Sequence, residues 1–431
     1  MLILTIIGLA GILACNFYVG RSLLFPPCLF TGMWLINLGV LLVSDHLFYQ
    51  VGDTACLVYL VGALSFSLGG VLVYARSECG SCARPTQLVL TGEARRDVRC
   101  ALDLMLLLLI ISLPYYFYIA KTLAGNVSAE FVLDAIRMRE VSASGKSNPF
   151  GHFAGNLAIL ALLCAPAVYY ESDSSVRWRI RITLSVLLAL AYGFLSGSKE
   201  GVLVFLTLIF VAWLKTGRLR LRNLVVSLVL MLGLFSLGLV AINFVSQSQA
   251  GLEPIVTKVG SAILVYWLAG VVAFGKVANH PDVIHVTQNI WRFFLETARD
   301  LGVRVAEPSL HEPYAVVSAQ PEIRQMGANT YTAYISYFPD FGWLGVVIIM
   351  ASLGAAIASV WERARIGRPV YVLVYASLCV GIVLTFNGEH FLLGLNWYIK
   401  EFAIYGFLYA VIPRIGNSLR AIRAKEHARI I

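Results

Sequence analysis

About eleven long, uncharged or nearly uncharged runs divide this chain, at roughly 2–20, 23–43, 55–75, 101–120, 152–170, 182–197, 201–214, 223–245, 341–361, 369–386 and 395–412. Most are long enough to cross a hydrocarbon core of about 30 Å as a helix. Only a helix or a closed barrel satisfies its own backbone there, and runs of this length suit the helix. With 59% hydrophobic and 13% charged residues among 431, an ordinary soluble fold is excluded. The expected fold class is therefore an all-α polytopic membrane protein. No internal repeat and no Pro/Ser-rich linker divides it, so 1–431 reads as one membrane domain with two insertions, 121–151 and 246–340.

Lys and Arg set the expected orientation, because cytoplasmic loops retain them. Most of the 33 fall in short segments on one side, around Arg21, Arg76, Arg177, Lys215, Arg363 and the stretch from Arg414 to Arg429. The other side holds loop 44–54, which has none, and the long 246–340 segment, which has few. This predicts an N-terminus outside and a C-terminus inside. Met1–Gly20 lacks a basic leading region and reads as a retained first helix. The net charge of +9 is mostly this topological signal plus attraction to anionic lipid, so nucleic acid is not an expected partner and membrane lipid is.

The first insertion combines Phe131–Glu140, which could form a short helix, with the flexible "SASGKSNPFG". In the second, Ala262–Phe274 is apolar but short, which suits a re-entrant or interfacial segment better than a crossing. "NIWRFFLETARDLGVR" places Arg292, Glu296 and Arg299 on one helical face and Trp291, Phe294, Leu295 and Ala298 on another. That is the pattern of a helix lying along the membrane surface, and equally of a solvated charged face on a packed helix.

The expected outer surface gathers most of the chemistry. The "SGSKEG" corner, Ser196–Gly201, joins two apolar runs through glycines that permit a tight reversal. Lys199 either snorkels to headgroups there or, with serine hydroxyls and free helix N–H groups, forms an anion site. Arg137, Arg139, Arg292 and Arg324 add guanidinium groups whose planar forks suit phosphate, although Arg137 and Arg139 would lie about 200° apart on a helix. "GANTYTAYISYFPDFGWLGV", Gly327–Val346, is dense in Tyr, Asn and Thr, and reads either as a sugar site including Asn329, Tyr331, Tyr334 and Asp340 or as an interfacial aromatic belt. "FNGEHFLLG" sets Glu389 beside His390 at a membrane edge, where such groups are costly unless used or paired. Either could take a proton from a hydroxyl, and a structural hydrogen-bonded pair is the competing reading.

Other motifs carry nothing. "GVVAFGK" has Walker spacing, but Val277 stands where Ser or Thr is required. No Asp-x-Asp, G-x-S-x-G or H-E-x-x-H occurs, and no four-ligand metal set is visible, so neither metal nor cofactor is expected. Cys79 and Cys82 form a CxxC with only Cys100 nearby, too few for a zinc ribbon.

The order of parts resembles the Wzy family of O-antigen (oligosaccharide repeat-unit) polymerases of Gram-negative inner membranes, with the O-antigen ligases as distant relatives. The resemblance is carried by the Ser196–Gly201 corner, the arginines of the first insertion, Asn329-Thr330-Tyr331-Thr332-Ala333-Tyr334 and Asp340-Phe341-Gly342-Trp343-Leu344-Gly345. Lys199 stands where relatives usually have arginine, and His390 matches the ligase histidine motif only loosely. The resemblance implies a GT-C-like, metal-independent glycosyltransferase of the bacterial inner membrane, facing the periplasm. Its substrates would be undecaprenyl-pyrophosphate-linked oligosaccharides, and a chain-length regulator and a flippase are the kinds of partner it admits. Arg139, Arg137, Lys199, Arg292 and Arg324 would then bind pyrophosphate, Glu389 or His390 would act as base, and Asn329, Tyr331, Tyr334 and Asp340 would shape the sugar site. Ligation to lipid A core and transport of lipid-linked sugars are the rival functions. Transport would need a charged path through the membrane centre, where the runs are almost wholly uncharged.

Overall fold

The computed structural model describes residues 1–78, 92–124, 252–279, 315–318, 327–328, 331–365 and 369–392, with isolated positions within 180–192 and at 298, 303, 395, 398–399 and 402–403. They are almost entirely helical: α1 Leu2–Gly20, α2 Pro26–Val43, α3 Asp53–Glu78, α4 Gly92–Ala124, α5 Leu252–Asn279, α6 Phe338–Arg365 and α7 Pro369–Val383. The β structure among them is one antiparallel pair of two-residue strands, Ala315–Val316 and Gly327–Ala328. Four of these helices, α1, α2, α3 and α6, are long and apolar enough to cross a membrane. Exposed Ile3, Leu4 and Ile7 on α1, with Leu344, Val347 and Ile348 on α6, are the apolar faces that lipid would cover.

The chain forms two compact units. The first comprises Met1–Pro85, Gln249–Arg363 and Leu378–Ile399. Within it, Pro26 and Pro27 open α2, where the missing N–H costs nothing. Thr5 donates to the Cys56 carbonyl at 3.4 Å, and Asn16 donates to Ser67 Oγ at 2.8 Å, so α1 and α3 run in the same direction. Asn16 also reaches Thr31 Oγ1 and the Pro27 carbonyl, both at 3.3 Å, joining α2 to the pair. Such buried polar links bind helices that gain nothing from the hydrophobic effect once all are in lipid.

Next, α6 lies against α3 backbone to backbone. Gly69 faces the Ala351 carbonyl and Gly354 faces that of Phe66, while Gly62, earlier in α3, leaves room for the Tyr334 ring. The two helices therefore run alike, which puts Arg21, Arg76 and Arg363 at the end away from residues 331–337. α5 runs opposite to α3: Tyr59 Oη donates to the Val271 carbonyl at 2.8 Å, whereas Asn279 abuts Gly52. Near its start α6 is interrupted at Gly342, where φ is 58° and ψ −151°, a conformation that favours glycine.

In the second unit (Thr86–Ser248, Ala364–Ser377 and Lys400–Ile431), Arg181 grips Asp103 of α4 through two 2.6 Å hydrogen bonds. Further along, Tyr192 Oη meets Ser112 Oγ at 2.7 Å and donates to the Leu109 carbonyl at 2.9 Å.

One element differs in extent from its sequence reading. Ala262–Phe274 is the apolar part of a 28-residue helix, α5, which begins ten residues earlier through a more polar stretch. The "GVVAFGK" stretch lies inside this same helix, so it offers no phosphate-cradling loop. α4 runs on to Ala124, past the expected start of the first insertion at 121. The runs at 152–170, 201–214 and 223–245, residues 125–151 of that insertion and the 289–297 part of the proposed surface helix lie outside the described residues.

Candidate functional site

The site is built where three segments of the first unit meet. Segment 331–337 precedes α6 and contains a 3-10 turn, Ala333–Ser336. Segment 384–391 leaves α7 through a second 3-10 turn, Leu384–Phe386. Gly270 of α5 touches both: a β-carbon there would lie 2.5 Å from the Phe386 carbonyl oxygen, 3.4 Å from the Tyr331 carbonyl carbon and 3.5 Å from Asn387 Cα. Trp267, one turn earlier, places its ring 4.8 Å from that of Phe386.

Across this junction Tyr337 Oη donates to Glu389 Oε1 at 2.6 Å, and the Phe391 N–H donates to the same oxygen at 2.9 Å. Tyr337 is fully buried and Glu389 only 7% exposed, so the carboxylate is held by donors in place of water. Burial, then the charge and the hydrogen bond of Glu389, push the Tyr337 phenol well above its ordinary ionisation range, and it remains a donor at neutral pH.

His390 is half-buried as a residue, but its Nε2 is shut off from solvent and has no protein partner. Burial holds the imidazole down at about 4, against the smaller upward pull of a hydrogen bond with the Leu384 backbone. The ring is thus neutral at pH 7. With the other nitrogen serving the Leu384 backbone, Nε2 is left as an acceptor.

Further buried polar atoms without a protein partner belong to the same stretch: Thr332 Oγ1, Tyr334 Oη, Ser336 Oγ and Asp340 Oδ1, with Trp267 Nε1 on α5. Orphaned buried groups are unusual in proteins, and each calls for an explanation, an ordered water being one. Tyr334 itself is enclosed by rings, 5.3 Å from Trp34, 5.7 Å from Tyr59 and 6.1 Å from Phe274, centroid to centroid. Its ring belongs to the core that supports this segment.

Of the residues picked out in the sequence, the structure brings Glu389, His390, Tyr331 and Tyr334 to one region of the first unit. Tyr331 is buried beside Gly270, and Asp340 follows in the first turn of α6. Arg137, Arg139, Lys199, Arg292, Arg324 and Asn329 lie outside the described residues. Tyr337 is the residue that sequence reasoning passed over. The available signal was its place in the tyrosine-rich stretch, but nothing there distinguishes it from Tyr331 or Tyr334.

Compared with known families, with curated proteins and with solved structures, the chain matches none.

Proposed function

We propose that the protein is a glycosyltransferase of the bacterial inner membrane that polymerises undecaprenyl-pyrophosphate-linked oligosaccharide repeat units at the periplasmic face. The observation that supports this most is the Tyr337–Glu389 hydrogen bond beside the unpartnered Nε2 of His390. The carboxylate and the imidazole lie at the end of the helical unit opposite Arg21, Arg76 and Arg363. By the positive-inside rule that end is the non-cytosolic one. Orphaned hydroxyl and carboxylate atoms around it are complementary to a polyhydroxylated ligand.

In the reaction, the nonreducing-end hydroxyl of a lipid-linked acceptor attacks the anomeric carbon of the donor glycan. The new C–O bond forms as the bond from anomeric carbon to phosphate oxygen breaks, and its electron pair departs with undecaprenyl pyrophosphate. The hydroxyl proton passes to Glu389. A carboxylate that accepts it loses charge, whereas protonation of His390 would create a buried cation, so His390 is assigned to orienting the hydroxyl through Nε2. Arg139 or Arg137, Lys199, Arg292 and Arg324 neutralise the departing pyrophosphate. Because that group already leaves readily, neither nucleotide nor ATP is consumed. Asn329, Tyr331 and Asp340 shape the sugar site, while Tyr334 braces it from the core.

The test is the full-length protein in liposomes with a synthetic undecaprenyl-pyrophosphate-linked repeat unit as sole substrate. A ladder of polymers is expected, lost in Glu389→Gln. A substrate left intact by the wild-type protein overturns the reading. Transfer seen only after lipid A core is added would mean a ligase, and movement of the intact unit across the bilayer a transporter.

A further inference from the structure

Glu389 is a buried carboxylate whose hydrogen bonds come from two separate parts of the chain. Two donors converge on its Oε1, a phenol at 2.6 Å and a backbone N–H at 2.9 Å, and the two come from different sides. The Phe391 N–H is local to the loop that carries Glu389. The phenol comes from a separate segment, 52 residues away in sequence.

That phenol is itself rigidly based. The Tyr337 N–H donates to the Tyr334 carbonyl at 3.1 Å, and its own carbonyl accepts from the Phe341 N–H at 3.1 Å. Tyr334 is locked among Trp34, Tyr59 and Phe274. Through this chain of contacts the aromatic core of the membrane helices fixes where the phenol stands. The phenol in turn holds Glu389 Oε1 in place.

We infer that Tyr337 is a positioning residue: by holding Glu389 Oε1 it aims the carboxylate at the acceptor hydroxyl, a role that rests on the glycan-polymerase reading above. Tyr337 touches no substrate and moves no proton in this scheme. It limits the directions in which Glu389 can point, and misdirection of a base by an ångström is costly in rate. Binding of the lipid-linked unit, which depends on other groups, is left alone.

The experiment compares wild type, Tyr337→Phe and Tyr192→Phe in liposomes, measuring kcat and KM for the lipid-linked repeat unit together with the melting temperature. Tyr192→Phe is the control for loss of a buried phenolic hydrogen bond in the second unit, outside this chain of contacts. Tyr337→Phe is expected to lower kcat by roughly 10- to 100-fold, the range for a hydrogen bond to a charged group, with KM within about twofold of wild type. Tyr192→Phe is expected to keep kcat within about twofold while lowering the melting temperature. An unchanged kcat in Tyr337→Phe overturns the inference. So does a rise in KM alone, or a kcat loss matched by Tyr192→Phe, each of which marks a purely structural phenol. These outcomes require an active wild type. A wild-type protein inert towards the repeat unit overturns the polymerase reading itself, and the inference with it.

Discussion

Gly69 of α3 and Ala351 of α6 approach so closely that a β-carbon on the glycine would overlap the alanine's carbonyl oxygen. The obstacle is backbone, which cannot swing aside as a side chain can. Gly69→Ala must therefore separate the two helices, and Gly354→Ala, facing the Phe66 carbonyl, must do the same. Each is expected to destabilise the protein by about 1–3 kcal/mol, the usual cost of overpacking. Thermal unfolding in detergent checks this against Gly11→Ala, whose β-carbon would meet nothing within 4 Å.

Tyr59→Phe removes the 2.8 Å bond to the Val271 carbonyl and leaves that carbonyl buried between α3 and α5. Interhelical bonds of this kind are worth about 1 kcal/mol. A small fall in unfolding free energy is expected, measured by denaturant titration in mixed micelles.

Stability should fall with acid on account of His390. The folded protein keeps the imidazole neutral down to about 4, whereas the unfolded chain takes up a proton near the ordinary 6.5. Between those values the unfolded state binds more protons, so lowering the pH favours unfolding by about 1.4 kcal/mol per pH unit, roughly 3 kcal/mol in all. Above pH 6.5 the term is constant. Denaturation of wild type and His390→Gln at pH 7, 5.5 and 4.5 should show a shallower acid loss in the variant, and parallel curves would refute the assignment.

Gly270→Ala tests the junction of the site. Its β-carbon would stand 2.5 Å from the Phe386 carbonyl oxygen, so segment 384–391 must withdraw from α5 and carry Glu389 with it. Polymer formation is expected to drop about tenfold or more, out of proportion to any change in melting temperature. Full activity would show that the loop adjusts without disturbing Glu389.

The membrane character of this chain was legible because it depends on local composition. Leu2–Gly20 ends where the charge-free run ends, and 55–75 differs from Asp53–Glu78 by only a few residues at each end. α5 was underestimated because hydropathy follows lipid preference, whereas helix formation does not stop at Glu253 or Lys258. Glu389 and His390 stood out as costly groups at a membrane edge. The Tyr337 partnership did not, since a contact across 52 residues leaves no periodicity in either segment. Tyr334 attracted notice as one of several tyrosines, and sequence cannot tell an interfacial ring from one enclosed by Trp34, Tyr59 and Phe274.

The interruption at Gly342 resets the angular phase of α6. In an unbroken helix Asp340 would share the face of Leu344, Val347 and Ile348, the exposed apolar residues that lipid would cover. With the winding restarted, the first turn is free to orient Asp340 by what surrounds it, and the remaining length can follow the demands of lipid and of α3 alone.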